Sequence, residues 1–209
     1  MDTDALVAKL RGIYAIVNEG ARDPVQLTAD ILSGGVRIVQ YRAKSGIVAA
    51  HARAMRTLTR ERGAVFIIND DWRAVERFEA DGVHTGPEDA RPAQLPQIRR
   101  ALQGRILGLS CGTPEEARAA AEFGADYVGI GCVFPTTSKA DAGEPIGIEG
   151  LKHVARAADL PAAAIGGITI DNVRLVRDAG AAMAAVISAI ASSEDARAAA
   201  HQLVTAWTC

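Results

Sequence analysis

The chain has 209 residues, 49% of them hydrophobic and 23% charged, a balance that fits one well-buried globular domain, is short for two and excludes a disordered polar chain. A formal net charge of -2 and only 4% aromatic residues exclude a general duplex-binding face and a base-stacking platform, so positive charge for anionic ligands must be local. Cys111, Cys132 and Cys209 are odd in number, match no zinc spacing and read as reduced thiols of a cytoplasmic protein.

The first twelve residues, MDTDALVAKLRG, are acidic and amphipathic and lack the apolar core of a signal peptide. No later apolar run approaches the roughly 20 residues that span a bilayer, so membrane association is not expected.

From there an internal echo organises the chain. Gly34-Gly35-Val36-Arg37-Ile38-Val39-Gln40 resembles Ala80-Asp81-Gly82-Val83-His84. Both resemble Gly124-Ala125-Asp126-Tyr127-Val128-Gly129 and Gly180-Ala181-Ala182-Met183-Ala184-Ala185-Val186. Three of the four place Gly where a helix should stop; the exception has Glu79-Ala80. Repeated helix, Gly, strand punctuation predicts a βα array on a parallel sheet. Eight strands fall at 12–18, 36–41, 65–69, 81–84, 105–109, 126–130, 162–166 and 183–188. Helical patterns at 47–62, 114–123 and 170–179 lie among them, with Thr113 as N-cap and Pro114 in the first turn of the second. The expected fold is a compact (β/α)₈ barrel, one catalytic domain over residues 1–209, trimmed from the usual size of about 250 residues. The connection between the third and fourth strands leaves room only for a brief helix.

Active sites in this fold gather at the C-terminal ends of the strands. At the second strand end, Gln40, Arg42 and Lys44 alternate with Tyr41 and Ala43, so an extended chain puts three polar groups on one side. Donors in that arrangement suit an oxygen-rich anion, although a strand running into a charged surface loop looks the same. The third strand runs into Asn69-Asp70-Asp71, where an acid can cap a helix or hold Mg²⁺. Glu88-Asp89 follows the fourth strand; Asp70 and Asp89 can share a metal, or Glu88 and Asp89 can simply cap the next helix. His84, near a strand end, reads as structural, and Cys111 and Cys132 as packing. The long stretch 131–147 contains Pro135-Thr136-Thr137-Ser138-Lys139, a candidate lid or a plain hydrophilic loop. Gly166-Gly167 and Ile187-Ser188 end the seventh and eighth strands, where this fold recurrently binds phosphate.

Taken in order, these segments resemble the thiamine phosphate synthase family from Tyr14 to Ile190. The resemblance rests on Gln40-Tyr41-Arg42-Ala43-Lys44, Asn69-Asp70, the run from Ala80 to Asp89, Gly124 to Gly129, Phe134 to Lys139, Ala164 to Ile168 and Val186 to Ile190. It implies a transferase that joins a pyrimidine diphosphate to a thiazole phosphate with release of diphosphate. By that resemblance Gln40, Arg42, Lys44 and Asn69 bind the pyrimidine diphosphate, Asp70 and Asp89 hold Mg²⁺, and Ser110 contacts the pyrimidine. Thr136 and Ser138 face the thiazole phosphate, Lys139 the diphosphate, and Gly167, Ile187 and Ser188 offer backbone contacts to the thiazole phosphate. Arg42, Lys44, Ser110 and Lys139 form the implied catalytic set. The chain departs from the family at Tyr41 (more often Leu), Pro87 (usually Gln), Cys111-Gly112 (a small residue then His) and Ala182 (usually Asp). A thiazole tautomerase-like isomerase and a non-catalytic phosphate-ligand sensor are the other readings on this barrel. Expected partners are the two small molecules, neither nucleic acid nor membrane, with homo-oligomerisation left open.

Overall fold

The computed structural model describes residues 3–20, 22–86, 91–138 and 143–209. Short apolar runs become the strands β1 Gly12–Asn18, β2 Ile38–Arg42, β3 Val65–Asn69, β4 Gly82–Thr85, β5 Ile106–Cys111, β6 Tyr127–Ile130, β7 Ala162–Ile165 and β8 Met183–Val186. They close into a barrel in sequence order, all parallel, with β8 against β1. The fold is the expected (β/α)₈ barrel. Its helices are α1 Thr3–Val7, α2 Pro24–Ser33, α3 Ala49–Glu61, α4 Ala74–Arg77, α5 Leu95–Leu102, α6 Pro114–Glu122, α7 Gly147–Ala158, α8 Val173–Asp178, α9 Ser188–Ala191 and α10 Ala196–Thr208. Among the described residues no helix is long and apolar enough to cross a membrane.

Alternation along each strand divides the core in two. Ile13, Ala15 and Val17 of β1 pack outward against the helices, and Tyr14 and Ile16 point into the barrel. The inner core joins Ile38, Ile67, Ile106 and Met183, and Leu6 of α1 and Leu10 belong to the same cluster. The echo is a set of helix stops. Gly35, Gly124 and Gly180 adopt φ of 102°, 79° and 94°, and Glu79 does the same work at 52° without being glycine. The brief helix between β3 and β4 is α4, and α6 opens with the expected Thr113 cap, reinforced by Glu116.

The boundaries that moved have local causes. Val36 donates its N–H to Ile31 O and so completes the helix stop, which delays β2 to Ile38. Asn172 Oδ1 accepts Thr169 N–H at 2.8 Å, a turn that holds off α8 until Val173. Cys111 still pairs with Ile130, so β5 runs two residues longer than its apolar pattern.

The echo also places two matching staples at the N-terminal end of the barrel. Asp81 accepts the two terminal nitrogens of the Arg56 guanidinium, Nη1 and Nη2, at 2.8 and 2.9 Å, and the Phe66 N–H of β3 at 2.8 Å. Asp126 accepts Arg99 at 2.6 Å and the Leu107 N–H of β5 at 2.7 Å. Each staple ties a helix to the start of two strands. Ala182 occupies the corresponding place before β8, and its N–H bonds Ala162 O as Asp126 N–H bonds Leu107 O.

Candidate active site

At the opposite end the strand termini surround a cavity of about 300 Å³. β2 turns Gln40 and Arg42 into it and buries Tyr41 outward. Gln40 is 2% exposed; its Nε2 donates to Tyr14 Oη at 2.6 Å, and Tyr14 Oη lies 2.9 Å from Tyr127 Oη. Burial pushes both phenols well above their ordinary pKa, so they stay protonated. With one amide hydrogen committed to Tyr14, Gln40 keeps its oxygen and a second hydrogen for a ligand with a matching donor and acceptor.

The cationic rim spans β2 and β3. Arg42 Nη1 donates to Asn18 Oδ1 at 3.2 Å. Lys44 Nζ lies 3.2 Å from Asp70 Oδ2, and Asn69 Nδ2 donates to the same oxygen. Asp70 N–H bonds His84 O at 2.8 Å, one step beyond the β3–β4 ladder, and its φ of 63° turns the chain there. Among the described residues α4 has Arg73 at its N-cap and no side-chain cap from Asp70. Asp71, next in sequence, takes the local role by accepting Arg73 N–H at 3.1 Å. Arg42 and Asn69 line the cavity; Lys44 and Asp70 stand beside them.

The donor chemistry at this rim fits Mg²⁺. Asp70 offers a hard, part-exposed carboxylate, and this ion takes one or two carboxylates with water and phosphate oxygens. Among the described residues no group of three or more His, Cys, Asp or Glu could hold a metal by protein ligands alone. Asp89, the expected second carboxylate, and Lys139, the expected lid cation, lie outside the described residues, as do Pro87 and Glu88.

Across the cavity, His84 Nε2 lies 3.0 Å from Ser110 Oγ, and its ring packs on Tyr127 with centroids 5.3 Å apart. A Cβ at Gly108 would come within 2.6 Å of His84 Nδ1 and 2.2 Å of Tyr127 Cζ; one at Gly129 would come within 2.8 Å of His84 Cε1. Two strand-interior glycines therefore make room for an imidazole that orients Ser110. Sequence reasoning passed over this role for His84, and Gly in the middle of β5 and β6 was the available signal. Tyr14, Tyr127 and Glu116 were also missed. Glu116 lines the cavity because its Oε2 reaches back to the N–H groups of Gly112 and Thr113, at 2.6 and 3.2 Å. Cys111 and Cys132 line the wall as packed thiols; burial, aided by the Glu116 charge, pushes Cys111 to about 12, and burial raises Cys132.

The far wall joins β7, β8 and the lid stretch. Gly166 and Gly167 have φ of 106° and 61°; added Cβ atoms would meet Cys132 Sγ at 2.7 Å and Pro135 O at 2.4 Å. Only glycine lets the start of the 131–147 stretch lie this close. Thr136, Ser138, Gly167, Ile187 and Ser188 all line the cavity, and Ser138 Oγ is 3.0 Å from Ser188 Oγ. Of the expected site residues, Gln40, Arg42, Asn69, Ser110, Thr136, Ser138, Gly167, Ile187 and Ser188 thus share one chamber.

Comparison with known proteins agrees with this architecture. The family model described as thiamine monophosphate synthase matches residues 13–190. A thiamine-phosphate synthase of Moorella thermoacetica is 44% identical over 199 residues, covering 91% of this chain and 93% of that protein. One from Geobacillus thermodenitrificans is 45% identical over 214 aligned positions, covering 98% and 95%. The solved structure of thiamine phosphate pyrophosphorylase from Pyrococcus furiosus superposes with a TM-score of 0.88 at 34% identity, over 96% of both chains.

Proposed function

The chain belongs to the thiamine monophosphate synthase family, and from that premise we propose that it joins 4-amino-2-methyl-5-(diphosphooxymethyl)pyrimidine to 4-methyl-5-(2-phosphoethyl)thiazole, giving thiamine monophosphate and diphosphate. The observation that carries this reading is the division of one chamber into two walls. Arg42, Asn69 and the Lys44–Asp70 pair form a cationic rim at the ends of β2 and β3, and Gly167, Ile187 and Ser188 line the chamber from the ends of β7 and β8.

The chemistry follows from that division. Gln40 takes the amino group and ring nitrogen of the pyrimidine, with its amide fixed by Tyr14 and Tyr127. Arg42, Lys44 and Asn69 hold the diphosphate, and Lys139 closes over it from the lid. Asp70 and Asp89 would hold Mg²⁺, and the bound ion would supply Lewis-acid stabilisation of the departing charge. Gly167, Ile187 and Ser188, with Thr136 and Ser138, hold the thiazole phosphate. The thiazole nitrogen gives its lone pair to the methylene carbon, and the carbon–oxygen bond to diphosphate breaks with its electron pair on oxygen. No proton moves, so no general base is needed. The bond to the leaving group breaks ahead of attack, through a pyrimidine cation that Ser110, held by His84, contacts. Closure of the 131–147 stretch as a lid would keep water from that cation. The cysteines are free, in keeping with a reducing cytoplasm.

The test mixes the purified protein with both heterocycles and Mg²⁺ and oxidises the product to fluorescent thiochrome. Thiochrome that depends on both substrates is the expected result. Binding of both substrates without diphosphate release would replace this reading with a phosphate-ligand sensor.

A further inference from the structure

Behind the cationic rim lies a second polar cluster that touches none of the cavity. Tyr41 faces away from the chamber and is 1% exposed between the barrel and α3. Its hydroxyl donates to Glu19 Oε2 and accepts the Val48 N–H at 3.4 Å. His51 Nδ1 lies 3.0 Å from the same Glu19 oxygen. Three segments meet here: the residue after β1, the penultimate residue of β2 and the first turn of α3. Between the last two runs the loop 43–48, which carries Lys44.

That loop has few restraints of its own. A single turn bond, Gly46 N–H to Ala43 O at 3.1 Å, is recorded within it. α3 has Val48 at its N-cap with no side-chain cap and no acid in its first turn. The cap comes from outside: Tyr41 takes the Val48 N–H, and the Glu19 carboxylate sits by the helix start, where its charge is favoured. Burial alone would raise the Glu19 carboxyl; the bonds from Tyr41 and His51 outweigh it and hold the group below the usual carboxylate range.

We propose that Tyr41, Glu19 and His51 are positioning residues, a brace that closes the base of the 43–48 loop and sets Lys44 beside Asp70 for the diphosphate. The proposal rests on the proposed role of Lys44. Without the brace the loop must be ordered on binding, a cost that falls on diphosphate affinity and not on the thiazole side.

The experiment measures binding of inorganic diphosphate with Mg²⁺ by calorimetry, and the KM for each substrate, in wild type, Tyr41→Phe, Glu19→Gln, Lys44→Ala and Tyr41→Phe/Lys44→Ala. Tyr41→Phe keeps the buried ring, and Glu19→Gln serves as a second probe of the same brace. The expected result is a roughly three- to tenfold weaker diphosphate affinity and a matching rise in pyrimidine diphosphate KM, the scale of one lost hydrogen bond. Thiazole phosphate KM stays unchanged, and Tyr41→Phe adds nothing once Lys44 is Ala. Equal affinity in wild type and Tyr41→Phe, or the same loss with Lys44 absent, would overturn the brace. Tyr41-dependent diphosphate binding without thiamine phosphate formation would overturn the proposed function and leave the brace standing. No diphosphate binding by wild type would overturn both.

Discussion

The two ends of the barrel use the same ion-pair chemistry for opposite purposes. At the N-terminal end Asp81 and Arg56 are 6% and 11% exposed and bonded to strand backbone; at the C-terminal end Asp70 and Lys44 are 24% and 53% exposed. A buried pair tied to the ladder holds the fold and cannot be broken cheaply. An exposed pair contributes little stability, so its members can exchange each other for a ligand. On the proposed function, the difference separates residues that keep the barrel closed from residues that would meet the substrate.

That separation can be broken, and the sharpest attempt is Asp70→Asn. Asn tolerates the left-handed backbone at this position, so the fold should survive. Turnover should fall roughly 10³-fold or more, as the proposed metal-holding charge is lost, with an unchanged unfolding midpoint. Asp81→Ala should do the reverse. Arg56 Nε has no partner among the described residues, so the guanidinium relies on Asp81. The expected cost is about 3 kcal/mol or more in denaturant unfolding, with both KM values kept in the folded fraction. Lys139→Ala should lower kcat by roughly 10²-fold without altering stability, the scale of one preorganised charge-stabilising group. The smallest effect is a gain. Ala182→Asp would supply the acid missing before β8 and accept a strand N–H, raising stability by about 1 kcal/mol at unchanged activity. A loss of activity there, or a stability loss in Asp70→Asn, would blur the two ends.

The sequence was most legible where one residue type has one physical job. Gly35, Gly124 and Gly180 mark helix stops because few side chains accept that backbone, and the strands could be counted from them. Asp81 and Asp126 were visible as an echo, but their Arg partners, 25 and 27 residues away, were not. The rim was legible through alternation at Gln40 and Arg42. The floor was not: Tyr14 and Tyr127 look like core aromatics in sequence, and only closure of the barrel brings β1, β2 and β6 to one hydrogen-bonded cluster. His84 was hidden for the same reason, since its site is made by glycines on two later strands. Asp70 and Asp71 could not be told apart until the turn at Asp70 sent one carboxylate to Lys44 and the other to Arg73.

The most direct measurement follows phosphorus by ³¹P NMR while wild type and Asp70→Asn act on the two heterocycles with Mg²⁺. In wild type, diphosphate and thiamine monophosphate should appear one for one, and in Asp70→Asn neither should appear on that timescale. Diphosphate released without thiamine phosphate, or an Asp70→Asn enzyme as fast as wild type, would contradict an active C-terminal rim built on this carboxylate.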